Sequence, residues 1–166
     1  RMVSLPDKTF SLQPAFLEKQ YRLRELMPLF KERLAAGHSV IFFPKGTSMM
    51  PMIRQGVDKV VLSPLPKKLK KYDLPLYQRD NGQFVLHRIV KVGETYTCIG
   101  DNQSQYETGV RHDQMIGLVT GFYRDQEYHD AAELSHRVYR CLWHRSRWLR
   151  PYVRAVKNKI KRFIKK

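Results

Sequence analysis

The chain has 166 residues, a length for one domain with an appendage, and 42% of them are apolar, enough for a core. Its formal charge is +16, yet 12 Lys and Arg and no acidic residue follow Glu133, so only +4 belongs to everything before the tail. No apolar run approaches the ~20 residues that span a bilayer, which excludes a helical membrane span, and no signal-peptide-length segment opens the chain, so a cytoplasmic location is the expectation.

Residues 1–13 carry no clear period and read as a loose arm. Over 14–36, Leu23, Leu26, Met27, Phe30 and Leu34 recur at helical spacing. Pro28 interrupts them and predicts a kink or two short helices. Gly37 reads as the helix stop. The first segment is therefore 1–38, an arm and a helical stretch.

Residues 39–125 change character. "SVIFF", "DKVVLS", "DLPLYQR", "QFVLHRIVKV", "TYTCIG" and "MIGLVTGFY" are short runs rich in β-branched and aromatic residues, separated by "QG", "DNG", "VGE" and "GDN". That pattern predicts a mainly antiparallel β domain. Asn81-Gly82 suits a hairpin turn, and Pro75 places its strand at an edge or a bulge.

The last segment, 126–166, reads as a basic, amphipathic, helical tail. Leu134, Val138, Cys141 and Leu142 share one face, and Val153, Val156, Ile160, Phe163 and Ile164 another, beyond Pro151. Arg145, Arg147, Trp148, Arg150, Arg154, Lys157 and Lys161 are its candidate contacts to an anionic membrane surface or an acidic partner. Nucleic acid is the less favoured partner, because the apolar residues keep helical spacing and the aromatics suit a membrane interface. Lys67, Lys68, Lys70 and Lys71 read as a solvated loop.

Cys98 and Cys141 share no metal-ligand spacing and read as unpaired thiols, and His136 and His144 have no acidic companion. No metal or cofactor is expected.

Three short pieces remain. "KGTSMMPMI" (45–53) presents Ser48 between a glycine and a proline. Alone, such a serine is most often a turn residue, because a hydroxyl needs a base and an oxyanion site to act. "FVLHRIV" (84–90) reads as a strand in which Val85, His87 and Ile89 share a face. His87 is either a satisfied buried histidine or a general base. "IGDNQ" (99–103) carries Asp101, either a turn residue or the carboxylate that orients an imidazole.

Together and in this order, these pieces resemble the signal peptidases and the wider group that includes self-cleaving repressor peptidases. "GTSMMP" matches that group's G-x-S-M-x-P box, and "VDKVVL" and "KKYDLPLY" resemble its two further strand boxes. "LHRIV" and "GDNQ" resemble the subgroup that uses a Ser/His pair, where bacterial-type enzymes carry lysine at the place of His87. The resemblance spans about residues 22–123. It implies an α+β, mainly β fold with a peptidase core. It also implies a serine endopeptidase in which Ser48 is the nucleophile and His87 the base, acting on a peptide or a leader-bearing precursor. Asp101 is the expected third member, with Glu107 as the alternative, and Thr47, Met49 and Met50 flank the oxyanion and substrate cleft.

The chain departs from the pattern in three places. Tyr72 stands where the family has glycine, so Asp58 and Asp73 read as structural. The family's second aspartate after "GDN" is replaced by a stretch holding Glu107. No segment of this sequence reads as the family's usual membrane anchor, so the expected resemblance is to soluble bacterial members, some of which accompany the making of modified peptides from leader–core precursors. Two other classes stay open: a binding module that kept the fold and lost the chemistry, and a nucleic-acid-associated regulator. The lack of a helix-turn-helix pattern before residue 39 counts against the regulator.

Overall fold

A computed structural model describes residues 10–11, 23–133, 142 and 146. The chain divides into two compact units, Arg1–Ala132 and Glu133–Lys166, and the architecture below is that of the first. Arg145, Arg147, Trp148, Arg150, Arg154, Lys157 and Lys161 lie outside the described residues.

Leu23–Ala35 form one helix, α1, with Pro28 inside it. Within this span the helix runs through Pro28 as one element rather than as two short ones. Pro28 is the sixth residue of the helix, so its missing N–H forgoes one interior bond, that to the Arg24 carbonyl. Met27, Phe30 and Leu34 are buried, as their spacing requires, and the Phe30 ring lies 5.5 Å from that of Phe42. Burying a side chain such as Phe30 contributes roughly 1.5–3 kcal/mol. At the helix end, Gly37 (φ +82°) donates its N–H to the Leu34 carbonyl at 3.0 Å and His38 donates to Arg33 at 2.9 Å. This pair of bonds satisfies carbonyls that a helix end otherwise leaves open.

The rest is mainly β, in two sheets. The larger contains β1 (Phe10–Ser11), β2 (Val40–Phe42), β3 (Lys59–Ser63), β4 (Pro75–Gln78), β5 (Phe84–Leu86), β9 (Met115–Arg124) and β10 (Glu127–Asp130). Its order is β1-β2-β3-β9-β4-β5, with β10 also on β9. All pairings are antiparallel except the short β1–β2 contact. The smaller sheet has the order β6 (Arg88–Val92), β7 (Tyr96–Ile99), β8 (Glu107–Val110) and is antiparallel. Leu69, Tyr77, Val85 and Met115 pack with Ile89, Tyr96, Cys98 and Val110, so this core joins side chains of both sheets.

Three local expectations change, and for Pro75 the bulge rather than the edge holds. "QFVLHRIVKV" is two strands in two sheets, and His87 is the residue between them. Period-two alternation therefore does not run through His87; the chain turns there, and Val85, Leu86, His87, Arg88 and Ile89 are all buried. The strand of Pro75 is not an edge, since β4 lies between β9 and β5. Proline is accommodated there as the first residue of the strand, beside a register shift at Leu76/Tyr77. In the hairpin, only Gly82 takes a positive φ, +81°. The Gly82 N–H donates to Arg79 at 2.8 Å and the Arg79 N–H to Gln83 at 2.9 Å, a three-residue loop that needs glycine at its left-handed position. Glu127–Asp130, read from sequence as the start of the tail, pair with Gly121–Arg124 as strand β10.

Candidate active site

Ser48 lies in the loop between β2 and β3. The loop is pinned by buried Met49, Met52 and Ile53, and by the Ile53 N–H, which donates to the Met49 carbonyl at 3.0 Å. Ser48 itself is half-buried, and Met50, before the cis Met50–Pro51 bond, is exposed.

"GDN" holds that loop in place. The Asn102 N–H donates to the Ser48 carbonyl at 2.8 Å, and its side-chain amide donates to the Thr47 carbonyl at 3.2 Å. Gly100 makes this approach fit: a Cβ there would meet the Ser48 carbonyl oxygen at 2.8 Å and the Ser48 Cβ at 3.0 Å. Glycine is required at this position for space.

Asp101 does other work than expected. Its carboxylate receives Arg88 in a two-point pair, Nε to Oδ1 at 2.9 Å and Nη2 to Oδ2 at 2.8 Å. Both side chains are enclosed, at 0% and 1% exposure, and Arg88 Nη1 also donates to the Tyr72 carbonyl at 3.0 Å. Tyr72 has a φ of +77°, a backbone shape that glycine adopts without cost. Its N–H donates to Ile89 at 2.7 Å. The Arg88–Asp101 pair thus ties the end of β7 to the start of β6 and to the lysine loop, one residue away from His87.

The carboxylate on the imidazole is that of Glu107. Its Oε1 lies 3.0 Å from His87 Nδ1. Tyr77 donates its hydroxyl to Glu107 Oε2 at 2.9 Å, with that hydroxyl 3.4 Å from Nδ1. Arg79 donates Nε to Oε2 at 2.9 Å and Nη2 to Oε1. The expectation that Asp101 orients His87 is therefore corrected: Nδ1 faces Glu107, the alternative, while the Asp101 carboxylate answers Arg88. Glu107 brings its carboxylate to His87 from β8, across the boundary between the sheets.

Burial lowers the pKa of His87, which is 2% exposed; the Glu107 charge works upward and the Arg79 charge downward. For Glu107, burial works upward, but hydrogen bonds from Arg79 and Tyr77 and the charge of His87 outweigh it and hold the carboxyl below its ordinary range. Glu107 is ionised and His87 largely neutral at pH 7, the states needed for an orienting acid and a general base. The buried Cys98 thiol is pushed up to about 12, by burial first and by Glu107 second, so it stays protonated.

Ser48 and His87 line one cavity of about 280 Å³, together with Lys45, Thr47, Met49, Arg79, Gln103 and the residues of β5. Of the three cleft residues expected from sequence, Thr47 and Met49 line it and Met50 does not. The lining holds two cationic side chains, Lys45 and Arg79, and no carboxylate. A larger cavity of about 540 Å³, between α1 and the β4–β5 hairpin, includes Arg79 but neither Ser48 nor His87. Among the described residues no group of three metal-ligating side chains is gathered, and no helix is long and apolar enough to cross a membrane.

Sequence reasoning missed Tyr77 and Arg79. They lie 30 and 28 residues from Glu107, and no local pattern links them to it. No protein-family model matches the chain, and no curated protein matches it.

Proposed function

We propose that the chain is a serine endopeptidase of the signal-peptidase-like type, with Ser48 as nucleophile, His87 as general base and Glu107 as the orienting acid. One observation carries the reading: His87 is held at Nδ1 by an ionised carboxylate while it shares a cavity with Ser48. A carboxylate on Nδ1 keeps the proton there, so that Nε2 carries the lone pair that accepts the serine proton.

The steps follow from these roles. The Ser48 hydroxyl oxygen attacks the scissile carbonyl carbon as its proton passes to His87 Nε2. The resulting oxyanion is met by the Ser48 backbone N–H and the Thr47 hydroxyl. Collapse breaks the C–N bond, and the imidazolium returns the proton to the leaving amine. Water, deprotonated by His87, then attacks the acyl-enzyme and releases the acid and the free serine. Glu107 stabilises the imidazolium each time it forms.

The substrate in this reading is a peptide or leader-bearing precursor, lying extended beside β5, which ends the larger sheet and lines the cavity. Family resemblance supports small residues before the cut, and the basic tail supports anchoring to an anionic membrane face or an acidic partner.

The test is a complex peptide library with new termini mapped by mass spectrometry. Native protein generates a defined set of cuts, and Ser48→Ala, with an unchanged far-UV spectrum, generates none. A folded Ser48→Ala protein that makes the same cuts would refute the mechanism.

A further inference from the structure

We infer that Arg79 is a positioning residue, whose guanidinium fork clamps Glu107 in the orientation that meets His87. The inference rests on the Ser48/His87/Glu107 reading and extends it to a residue outside the triad.

Glu107 opens β8, an outer strand of the smaller sheet. His87 lies where the chain leaves the larger sheet. A glutamate has three side-chain torsions, so an untethered carboxylate at a strand edge would sample several rotamers. Here both its oxygens are occupied from the other sheet. Oε1 meets Arg79 Nη2 and His87 Nδ1, and Oε2 meets Arg79 Nε and the Tyr77 hydroxyl. The two parallel Arg79 bonds fix the carboxylate plane as well as its position, which a lysine cannot do.

Arg79 is itself fixed. It sits at the head of the β4–β5 turn, its N–H bonds the Gln83 carbonyl, and its Nη1 donates to the Gln83 side chain. The clamp therefore staples the two sheets at the point where the imidazole lies between them.

Charge alone would not select an arginine here. The groups facing His87 are Glu107 from β8, Arg79 and Tyr77 from the β4–β5 hairpin, and Asp101 from the loop after β7. The Arg79 cation directly opposes formation of the imidazolium while its hydrogen bonds keep Glu107 ionised, so the part that a lysine could not supply is the two-point geometry. That separates Arg79→Lys, which keeps the charge and loses the fork, from a simple electrostatic role.

The experiment compares the full chain with Arg79→Lys and Arg79→Gln, using two readouts. One is the ¹⁵N shifts of the His87 ring, assigned with His87→Gln, which report the tautomer. The other is the rate of labelling by a fluorophosphonate. In the native chain His87 is expected as the Nδ1–H tautomer. In both variants it is expected to become a mixture containing Nε2–H, with labelling about 10²-fold slower, the scale of an ångström of misplacement. Arg79→Lys is decisive, because it is the milder change should Arg79→Gln fail to fold. A native tautomer in Arg79→Lys would overturn the inference whatever the labelling rate. Absence of labelling in the native chain would instead refute the hydrolase reading, and the tautomer would still decide the role of Arg79.

Discussion

Asp101→Asn should unfold the protein more readily while leaving its chemistry nearly intact. The substitution turns one accepting oxygen of Asp101 into an N–H₂ group facing the Arg88 guanidinium, now bonded at 2.9 and 2.8 Å. Arg88 is 1% exposed, so water cannot take over the lost interaction. An uncompensated buried charge of this kind costs about 3–5 kcal/mol. The whole domain has roughly 5–15 kcal/mol to lose. With a urea slope of about 2 kcal/mol/M, the unfolding midpoint should fall by about 2 M. Far-UV circular dichroism is the suitable probe, because both tryptophans, Trp143 and Trp148, lie in the tail. The double variant Arg88→Met/Asp101→Leu removes both charges and should recover most of the loss. Labelling of the folded fraction should stay within a few-fold of native for Asp101→Asn. For Glu107→Gln it should fall by about 10⁴-fold, the scale seen when an orienting carboxylate becomes an amide. A midpoint that hardly moves in Asp101→Asn, with labelling lost, would refute this assignment of the two carboxylates.

Gly100→Ala brings a Cβ to 2.8 Å from the Ser48 carbonyl oxygen and should push the serine loop off Asn102. Overpacking of this kind costs about 1–3 kcal/mol in a urea titration, with a fall in labelling larger than the stability loss explains; native labelling would contradict it. Stability should also decline on acidification, in two stages. Burial lowers the pKa of His87, so from about pH 6.5 downward the unfolded chain takes a proton that the folded chain resists. The loss runs until folded His87 protonates, and His87→Gln should flatten that limb of melting temperature against pH. Asp58 is buried, which works upward on its pKa, but hydrogen bonds from Arg124 and Arg54 outweigh this and hold it low. Its contribution is complete above about pH 4 and disappears as pH falls through the folded value, so Asp58→Asn should weaken the protein at pH 7 and flatten the lower limb.

Each of the six β-rich runs contains strand structure, because short apolar runs between turn residues carry a strong local signal. The weaker strands were illegible. β8 reads "ETGV" and β10 "EYHD", sequences short of buried apolar residues whose strand character comes from pairing with β7 and β9. The division of labour at His87 was also hidden. "FVLHRIV" looks like one strand, and only the competing pairings of its two halves break it. The motif residues Ser48, His87 and Asp101 stand out locally. Whether Asp101 answers His87 or Arg88 depends on a buried arginine next to the histidine, and the two partners are neighbours in sequence, so spacing does not separate them. Glu107 reaches His87 only because β8 folds back on β7, and Arg79 and Tyr77 reach Glu107 only across two sheets.

The most direct test of the central claim is intact-mass analysis after treatment with a small fluorophosphonate, on native protein, Ser48→Ala and His87→Ala. One adduct is expected on native protein, mapped to Ser48, and none on either variant, all three being folded. An adduct that persists in folded Ser48→Ala, or a native chain that takes none in solution or on anionic vesicles, would contradict an activated Ser48.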